Sequence, residues 1–192
     1  MKKMISVMAA MVICLMSACA FAGGWTVPGG NSDSGYSDWS GISAQLIEDL
    51  ATRSGPSTTY TGCGSYKMKG QYVTVLSRAY DNGGVLWVEV EFSYGGGYRR
   101  AWTGAKRLNI SSSALARIPE IDMNAWLGYG TISRTVSPRF GPGTLYATYG
   151  DRDFHRGDQV AVIRYDGGYC LVERYHSGGN ILRCWVPASD VN

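Results

Sequence analysis

Residues 85–108 read VLWVEVEFSYGGGYRRAWTGAKRL, and residues 168–191 read GYCLVERYHSGGNILRCWVPASDV. The two segments align without a gap, and each residue of the second stands 83 positions after its counterpart. A glycine pair, an arginine and a tryptophan recur in both: Gly95-Gly96 and Gly178-Gly179, Arg100 and Arg183, Trp102 and Trp185. A repeat at a fixed offset indicates a duplicated structural unit, so we predict two copies of one small β unit.

The first segment begins with a strand pattern. Apolar residues occupy every second position from Leu86 to Phe92, and Trp87, Glu89 and Glu91 occupy the positions between them. A period of two is typical of a strand with one buried face. We therefore predict a half-buried antiparallel strand whose glutamates lie on a solvated face.

The repeat extends on the N-terminal side of both segments. At an offset of 86, residues 46–60 match residues 132–146, which share an arginine, a Gly-Pro pair and a tyrosine. At an offset of 87, a glycine-preceded apolar strand at residues 72–76 matches one at residues 159–163. The change of offset from 87 to 83 predicts four additional residues in the first copy, around positions 77–84. Insertions that fall between strands support the strand assignments.

These patterns predict an all-β protein made of two small barrels. The first spans residues 42–110 and the second spans residues 128–192, each with short strands separated by glycine-rich turns. Residues 111–127 form the linker between them. We predict one helical turn in it, from Ser113 to Ile118, because Pro119 would end a helix there.

The N-terminal residues 1–22 have the features of a secretory signal peptide. Lys2 and Lys3 precede a short apolar run, and residues 20–22 (AFA) fit the small-residue rule for signal peptidase. The run is too short to cross a bilayer comfortably. We therefore predict export to the periplasm, the cell envelope or the medium. The alternative is a lipoprotein signal that ends at Cys19 and leaves the chain anchored by its start.

The net charge and the apolar content of the chain limit the kinds of partner it can bind. Residues 23–41 are rich in glycine and serine and lack periodicity, which is typical of a flexible leader. The formal net charge is +3, and loss of Lys2 and Lys3 with the signal peptide would leave +1. A nearly neutral chain does not fit strong attraction to nucleic acid or anionic lipid. No later stretch is apolar enough to cross a membrane, so we expect no membrane span.

Three cysteines follow the signal peptide: Cys63, Cys170 and Cys184. Cys170 and Cys184 lie on the two arms of the hairpin predicted in the second copy. If they stand opposite each other, their Cβ atoms are close enough for a disulfide, which an exported protein permits. We therefore predict a Cys170–Cys184 bond. Cys63 is then either a free, partly buried thiol or a link to another chain.

Several of these elements together resemble the bacterial SH3 domain family, the exported Src homology 3-like type. Members carry an N-x-R-S-G-P-S-T segment, a G-x-x-V-x-V strand, a W-x-x-V strand and a G-W-V segment. The first copy matches in four segments: residues 53–58 (RSGPST), 70–75 (GQYVTV), 87–90 (WVEV) and 101–103 (AWT). The second copy matches more loosely in four segments: residues 139–144, 157–162, 170–173 and 184–186. Ala101 stands where the family often has glycine, and the resemblance covers nearly all of residues 42–192.

The resemblance implies two tandem, partly open SH3-like β-barrels that bind a ligand. Many members recognise cell-wall peptidoglycan or its peptides, whereas others are adaptors for another exported protein and have no glycan ligand. Separately, no nucleophile-elbow, phosphate-loop or dinucleotide motif is present, and His155 and His176 lack metal-ligand spacing. We therefore expect a non-enzymatic protein without cofactor or metal. Fold resemblance does not by itself establish the ligand.

The candidate ligand-binding residues are one arginine and six aromatic side chains: Arg53, Tyr60, Trp87, Tyr94, Tyr98, Tyr146 and Tyr169. Loop tyrosines suit stacking on a sugar or peptide, and they are equally common as barrel lining. Arg53 suits a ligand carboxylate or an internal ion pair. Trp87, on the outer strand face, either offers a binding platform or packs on a loop or on the other copy. Trp102 and Trp185 are predicted to be core residues.

Overall fold

The computed structural model describes residues 41–122, 124–176 and 178–192, which belong to one compact unit. The predicted signal peptide at residues 1–22, the alternative lipid anchor at Cys19 and nearly all of the leader at residues 23–41 lie outside the described residues. No described helix is long and apolar enough to cross a membrane.

The first half of the described chain forms a seven-stranded antiparallel sheet. Its strands are β1 (Ile42–Leu46), β2 (Leu50–Arg53), β3 (Gly62–Tyr66), β4 (Tyr72–Tyr80), β5 (Leu86–Tyr94), β6 (Gly97–Gly104) and β7 (Leu108–Asn109). Their spatial order is β3-β2-β6-β5-β4-β1-β7, so β4, β5 and β6 follow one another as hairpins.

The second half forms a four-stranded antiparallel sheet in the order β11-β10-β9-β8. Its strands are β8 (Gly128–Thr131), β9 (Gln159–Asp166), β10 (Tyr169–Tyr175) and β11 (Ile181–Pro187). One helix, α1 (Ser112–Arg117), lies between the sheets in sequence, and Ser111 caps it by accepting a hydrogen bond from the backbone N–H of Ala114 at 3.2 Å. The predicted all-β class is thus confirmed, and the helical turn occurs where the linker was expected to hold one.

Each sheet packs one face against its own apolar cluster. In the first sheet Val88 and Val90 are fully buried, which confirms the apolar face predicted for β5. In the cluster of the second sheet Val172 of β10, Leu182 of β11 and Phe154 of the loop before β9 are fully buried. Burial of a side chain of this size contributes about 1.5–3 kcal/mol. These two clusters therefore hold the two sheets in shape.

The opposite face of β5 is buried as well, which corrects the expectation that its glutamates are solvated. Glu89 is 5% exposed, accepts a hydrogen bond from Ser77 Oγ at 2.9 Å and lies 3.7 Å from the Arg164 guanidinium of the second sheet. Trp102 is buried as predicted, but it packs on this face beside Trp87. The face is dry because side chains of the second half cover it.

The two halves share a pairing irregularity. In the first sheet β4 has a bulge at Leu76, between the pairs that Val75 and Ser77 make with β5. In the second sheet β9 has a bulge at Ile163, at the same place relative to its neighbour β10. A bulge bends a strand and increases its twist. The two sheets are therefore twisted at equivalent points, as a duplicated unit requires.

The strand registers correct the ungapped alignment. Trp102 pairs with Glu89, whereas Trp185 pairs with Leu171, so equivalent positions on β5 and β10 stand 82 apart rather than 83. The second copy has its extra residue in the hairpin turn between β10 and β11. Because β4 and β9 remain 87 apart, the β4–β5 connection of the first copy is five residues longer, not four.

The registers also correct the disulfide prediction. Cys170 pairs with Val186, and Cys184 pairs with Val172, so the two cysteines are diagonal neighbours rather than opposite each other. Both are free thiols packed within the apolar cluster of the second sheet. The hairpin itself was predicted correctly; its register differs by two residues from the one that a bond would need.

Burial should keep both thiols unreactive in the folded chain. It raises the pKa of Cys170 to about 12 and the pKa of Cys184 well above its usual value. The thiolate is the reactive species, so alkylation at pH 8 should be very slow until the protein unfolds. We expect iodoacetamide to label both residues in denaturant without reductant, as detected by peptide mass spectrometry. A linked Cys170–Cys184 peptide would contradict the structure.

Candidate functional site

The Gly-Pro segments of the two copies hold a tyrosine against the loop backbone. A Cβ atom at Gly55 would lie 2.3 Å from the Tyr60 ring, and one at Gly141 would lie 2.2 Å from the Tyr146 ring. Carbon atoms do not approach so closely, so only glycine permits the ring to rest on the loop. The repeated spacing of glycine and tyrosine is thereby explained by packing.

An arginine clamps each of these loops. Arg53 Nη1 donates to the carbonyl oxygens of Thr58 at 2.9 Å and Tyr60 at 2.6 Å. In the second copy Arg139 Nη1 donates to the carbonyl oxygen of Tyr146 at 2.8 Å. Charge-assisted hydrogen bonds of this kind are stronger than neutral ones. Arg53 therefore uses part of its donor set to hold its own loop, rather than in the internal ion pair that the sequence also allowed.

Each clamped tyrosine reaches across to the other sheet. The Tyr60 hydroxyl donates to Glu173 at 2.7 Å, and Arg183 Nε donates to the same carboxylate at 2.6 Å. The Arg183 guanidinium also lies over the Tyr60 ring, with its Cζ atom 5.1 Å from the ring centroid. Such a contact adds about 0.5–2 kcal/mol.

The reverse contact has the same chemistry. Tyr146 of the second copy donates its hydroxyl proton to Glu91 of the first, and Arg100 Nε donates to Glu91 at 2.7 Å. Arg100 Cζ lies 5.1 Å from the centroid of the Tyr146 ring. We call this pair of Tyr–Glu–Arg contacts, Tyr60–Glu173–Arg183 and Tyr146–Glu91–Arg100, the seam.

Backbone hydrogen bonds also join the two copies reciprocally, and we call these paired loop-to-strand contacts the exchange. Ile181 of β11 donates to the Thr59 carbonyl at 3.1 Å, and Thr61 donates back to the Ile181 carbonyl at 2.8 Å. At the equivalent place Tyr98 of β6 donates to the Leu145 carbonyl at 3.1 Å, and its own carbonyl accepts from Ala147 at 3.0 Å. Each loop thus lies along a strand of the other copy. The candidates Tyr60, Tyr98 and Tyr146 all belong to this exchange.

The two halves of the seam differ in burial. The Arg183 and Glu173 side chains are 2% and 8% exposed, whereas those of Arg100 and Glu91 are 20% and 24% exposed. Loss of one partner of a buried ion pair leaves an uncompensated charge in a dry site, which costs about 3–5 kcal/mol. A partly exposed pair costs less to break because water replaces the missing partner.

Matched substitutions test the seam. Glu173→Gln should lower the free energy of unfolding by about 3–5 kcal/mol, since Arg183 is left without its anion. The equivalent Glu91→Gln should lower it by about 1 kcal/mol, because Arg100 is partly hydrated. Urea denaturation followed by tryptophan fluorescence measures both. Equal losses of unfolding free energy in the two variants would show that the difference in burial does not affect the stability that each ion pair contributes.

Alkaline pH should weaken the seam. Burial raises the pKa of Tyr60 and of Tyr146, and the carboxylates that accept their protons raise the pKa further. A group with a raised folded pKa contributes stability below its unfolded pKa and loses it as pH rises. The free energy of unfolding should therefore fall from about pH 10 upwards. A Tyr60→Phe, Tyr146→Phe double variant should show a shallower fall; an unchanged slope would oppose this assignment.

The candidates Trp87, Tyr94 and Tyr169 lie outside this exchange, and Tyr98 takes part in it through its backbone. Trp87 is 9% exposed, and its Nε1 donates to Asp81 at 3.0 Å, so its ring is packed rather than displayed. Tyr94 and Tyr98 are 46% and 47% exposed at the β5–β6 hairpin. Tyr169, at the start of β10, is partly buried. The structure therefore does not bring the seven candidates into one site.

A cleft of about 660 Å³ lies between the two copies and contains aromatic residues that were not among the candidates. We call it the aromatic cleft; its rings are those of Tyr60, Trp126, Tyr129 and Tyr175. Trp126, Tyr129 and Tyr175 are 50%, 77% and 76% exposed, so their faces are open to solvent. Large exposed rings beside one another are uncommon on a soluble surface and mark binding sites.

Polar groups complete the lining of the aromatic cleft. Three hydroxyl side chains and three amides contribute: Ser57, Thr58, Thr59, Asn82, Asn124 and Gln159. Asp81 stands on one wall, where it accepts hydrogen bonds from the backbone N–H groups of Gly83 and Val85, each at 2.9 Å. This wall is the longer β4–β5 connection of the first copy, and Asp81 holds it in shape.

The cleft is specific to one of the two copies. The strand registers place Tyr129 and Tyr175 where the first sheet has Ser43 and Ser93. The replacement at Tyr175 was missed because the ungapped alignment shifts β10 by one residue. The replacement at Tyr129 was missed because the predicted repeat began only at residue 46. A search for aromatic residues that replace small polar ones between copies would have found Tyr129 and Tyr175.

Comparisons with known proteins add no family. No family model, no curated protein and no solved structure matches the chain. Across residues 41–122, 124–176 and 178–192, no three His, Cys, Asp or Glu side chains are grouped so as to hold a metal ion.

Proposed function

We propose that the chain is an exported, non-enzymatic binding protein of two bacterial SH3-like domains, and that its aromatic cleft recognises cell-wall peptidoglycan or its peptides. The observation that carries the proposal is the set of three exposed rings, Trp126, Tyr129 and Tyr175, beside hydroxyl and amide side chains. The SH3-like segments of the sequence support the same class of ligand.

The chemistry of the lining suits a sugar or a short peptide. Aromatic faces stack on the apolar faces of sugar rings and on peptide planes, and they lose little conformational entropy when they bind. Hydroxyl and amide groups exchange hydrogen bonds with sugar hydroxyls and with peptide N–H and C=O groups. The cleft therefore offers stacking for affinity and polar groups for orientation.

The cleft is held open before any ligand arrives. Tyr60 is fixed by Gly55 beneath it and by Glu173 at its hydroxyl. The opposite wall is held by the hydrogen bonds of Asp81. A preformed site avoids the entropic cost of ordering loops on binding. This favours measurable affinity for a ligand that makes only a few contacts.

The alternative is an adaptor that binds another exported protein. Leu127 and Val85 are 67% and 52% exposed, and each adjoins a residue or turn that lines the cleft. Apolar residues beside a cleft suit a protein partner as well as a glycan. The same variants distinguish the two, because purified wall material contains no protein partner.

Retention on purified peptidoglycan tests the proposal. Trp126→Ala, Tyr129→Ala and Tyr175→Ala should each weaken binding about tenfold, since each removes one stacking surface. The matched control is Tyr72→Ala, which removes an equally open tyrosine (67% exposed) that does not line the cleft. A co-sedimentation assay gives the bound fraction.

Two results would count against it. Failure of the unaltered chain to sediment with peptidoglycan would leave the adaptor as the remaining proposal. An equal loss of binding in Tyr72→Ala and in the cleft variants would place the contact elsewhere on the surface. Circular dichroism of each variant checks that the fold is kept.

A further inference from the structure

Three arginines lie around Cys63, and none of them lines the aromatic cleft. Cys63 lies on β3, beside Arg53 at the end of β2. Arg99 on β6 places its Cζ atom 4.4 Å from the centroid of the Phe140 ring. Arg152 lies close enough for its charge to act on Cys63, as do the charges of Arg99 and Arg53. We call Arg53, Arg99 and Arg152 the arginine cluster.

Aromatic rings hold the cluster together. The Phe140 ring stacks on Tyr149 with their centroids 3.9 Å apart, and the Tyr149 hydroxyl lies 3.7 Å from Cys63 Sγ. Tyr66 donates its hydroxyl proton to the Cys63 carbonyl at 2.8 Å, and Arg99 Cζ lies 5.8 Å from the Tyr66 ring centroid. The first copy supplies Cys63, Tyr66 and Arg99, and the second supplies Phe140 and Tyr149.

Two donors of the cluster have no acceptor. Arg99 Nε and Arg152 Nη1 are buried and make no hydrogen bond within the described residues. Among those residues no Asp or Glu forms an ion pair with any member of the cluster. Asp153, near Arg152 in sequence, instead accepts a hydrogen bond from Ser137 Oγ at 2.6 Å. Three cations thus share a partly buried place without an anion.

The thiol does not supply the missing charge. Burial raises the pKa of Cys63 to about 11, although the Tyr149 hydroxyl and the three arginines act in the opposite direction. Cys63 is therefore neutral near pH 7. Native proteins rarely leave buried N–H donors unpaired, and the guanidinium group is well suited to bind carboxylate and phosphate oxygens.

We infer that the arginine cluster is a binding site for an oxyanion, the phosphate or carboxylate group of a ligand. An oxyanion would accept from the unpaired donors Arg99 Nε and Arg152 Nη1 and offset the charge of all three guanidinium groups. Arg53 would contribute through the donors that its loop carbonyls do not use. This site is separate from the aromatic cleft, so it stands whether or not the chain binds peptidoglycan.

Inorganic phosphate is the first probe, titrated into the purified full chain at constant ionic strength and followed by isothermal calorimetry. Arg99→Gln and Arg152→Gln should each weaken phosphate binding about tenfold, since each removes charge-assisted hydrogen bonds. The control Arg117→Gln removes the same charge from the exposed helix α1 and should bind like the unaltered chain. Equal phosphate binding by all variants would overturn the inference, as would absence of binding both by phosphate and by the carboxylate probe described below.

A second readout needs no substitution. Phosphate seated among the arginines covers Cys63, so it should slow iodoacetamide labelling of Cys63 relative to chloride at the same ionic strength. Unchanged labelling both with phosphate and with the dipeptide acid described next would overturn the inference. An N-acetylated dipeptide with a free carboxylate, compared with its amide, distinguishes the source: protection by the acid form alone assigns a carboxylate ligand, and protection by phosphate alone assigns a phosphate ligand.

Discussion

The hydrogen bond from Tyr60 to the buried Glu173 carboxylate is the contact on which the arrangement of the two copies depends. It exists only because Gly55 lets the tyrosine ring rest on its own loop and because Arg53 holds the loop carbonyls. The same carboxylate forms a buried ion pair with Arg183. The loop from Arg53 to Tyr60 thus stabilises a distant part of the chain, because its tyrosine hydroxyl bonds a carboxylate of the other sheet.

The aromatic cleft is a consequence of that contact. Because the loop that carries Tyr60 lies against β11, residues 57–59 become one wall of a space whose floor belongs to the second sheet. The longer β4–β5 connection forms another wall. Only one of the two sheets carries exposed rings at this position, so the duplicated unit has specialised: one copy presents the rings and the other encloses them.

Local pattern was enough to predict the all-β class and the strands β4, β5, β6, β9, β10 and β11, because alternation and glycine turns are visible within a few residues. The short strands β1, β2, β3, β7 and β8 carry too few residues for such a pattern. Contacts between the copies were not predictable in the same way. Glu89 and Trp87 sit on a face that alternation marks as outer, and only the second sheet makes it dry. Cys170 and Cys184 missed their predicted pairing because the register of a hairpin depends on where its turn lies, and alternation alone does not locate the turn to the residue. Trp126 lies in the linker, which has no hydrophobic periodicity from which its position could be predicted.

The reciprocal contacts of the seam have the geometry of an isologous interface. In a symmetric homodimer residue i of one subunit meets residue j of the other, and j meets i in return. Here Tyr60 meets Glu173 and its counterpart Tyr146 meets Glu91 within one polypeptide. The molecule therefore resembles two ancestral subunits fused in tandem. Fusion frees each copy to change independently, and so a symmetric pair could acquire a binding surface on one side alone.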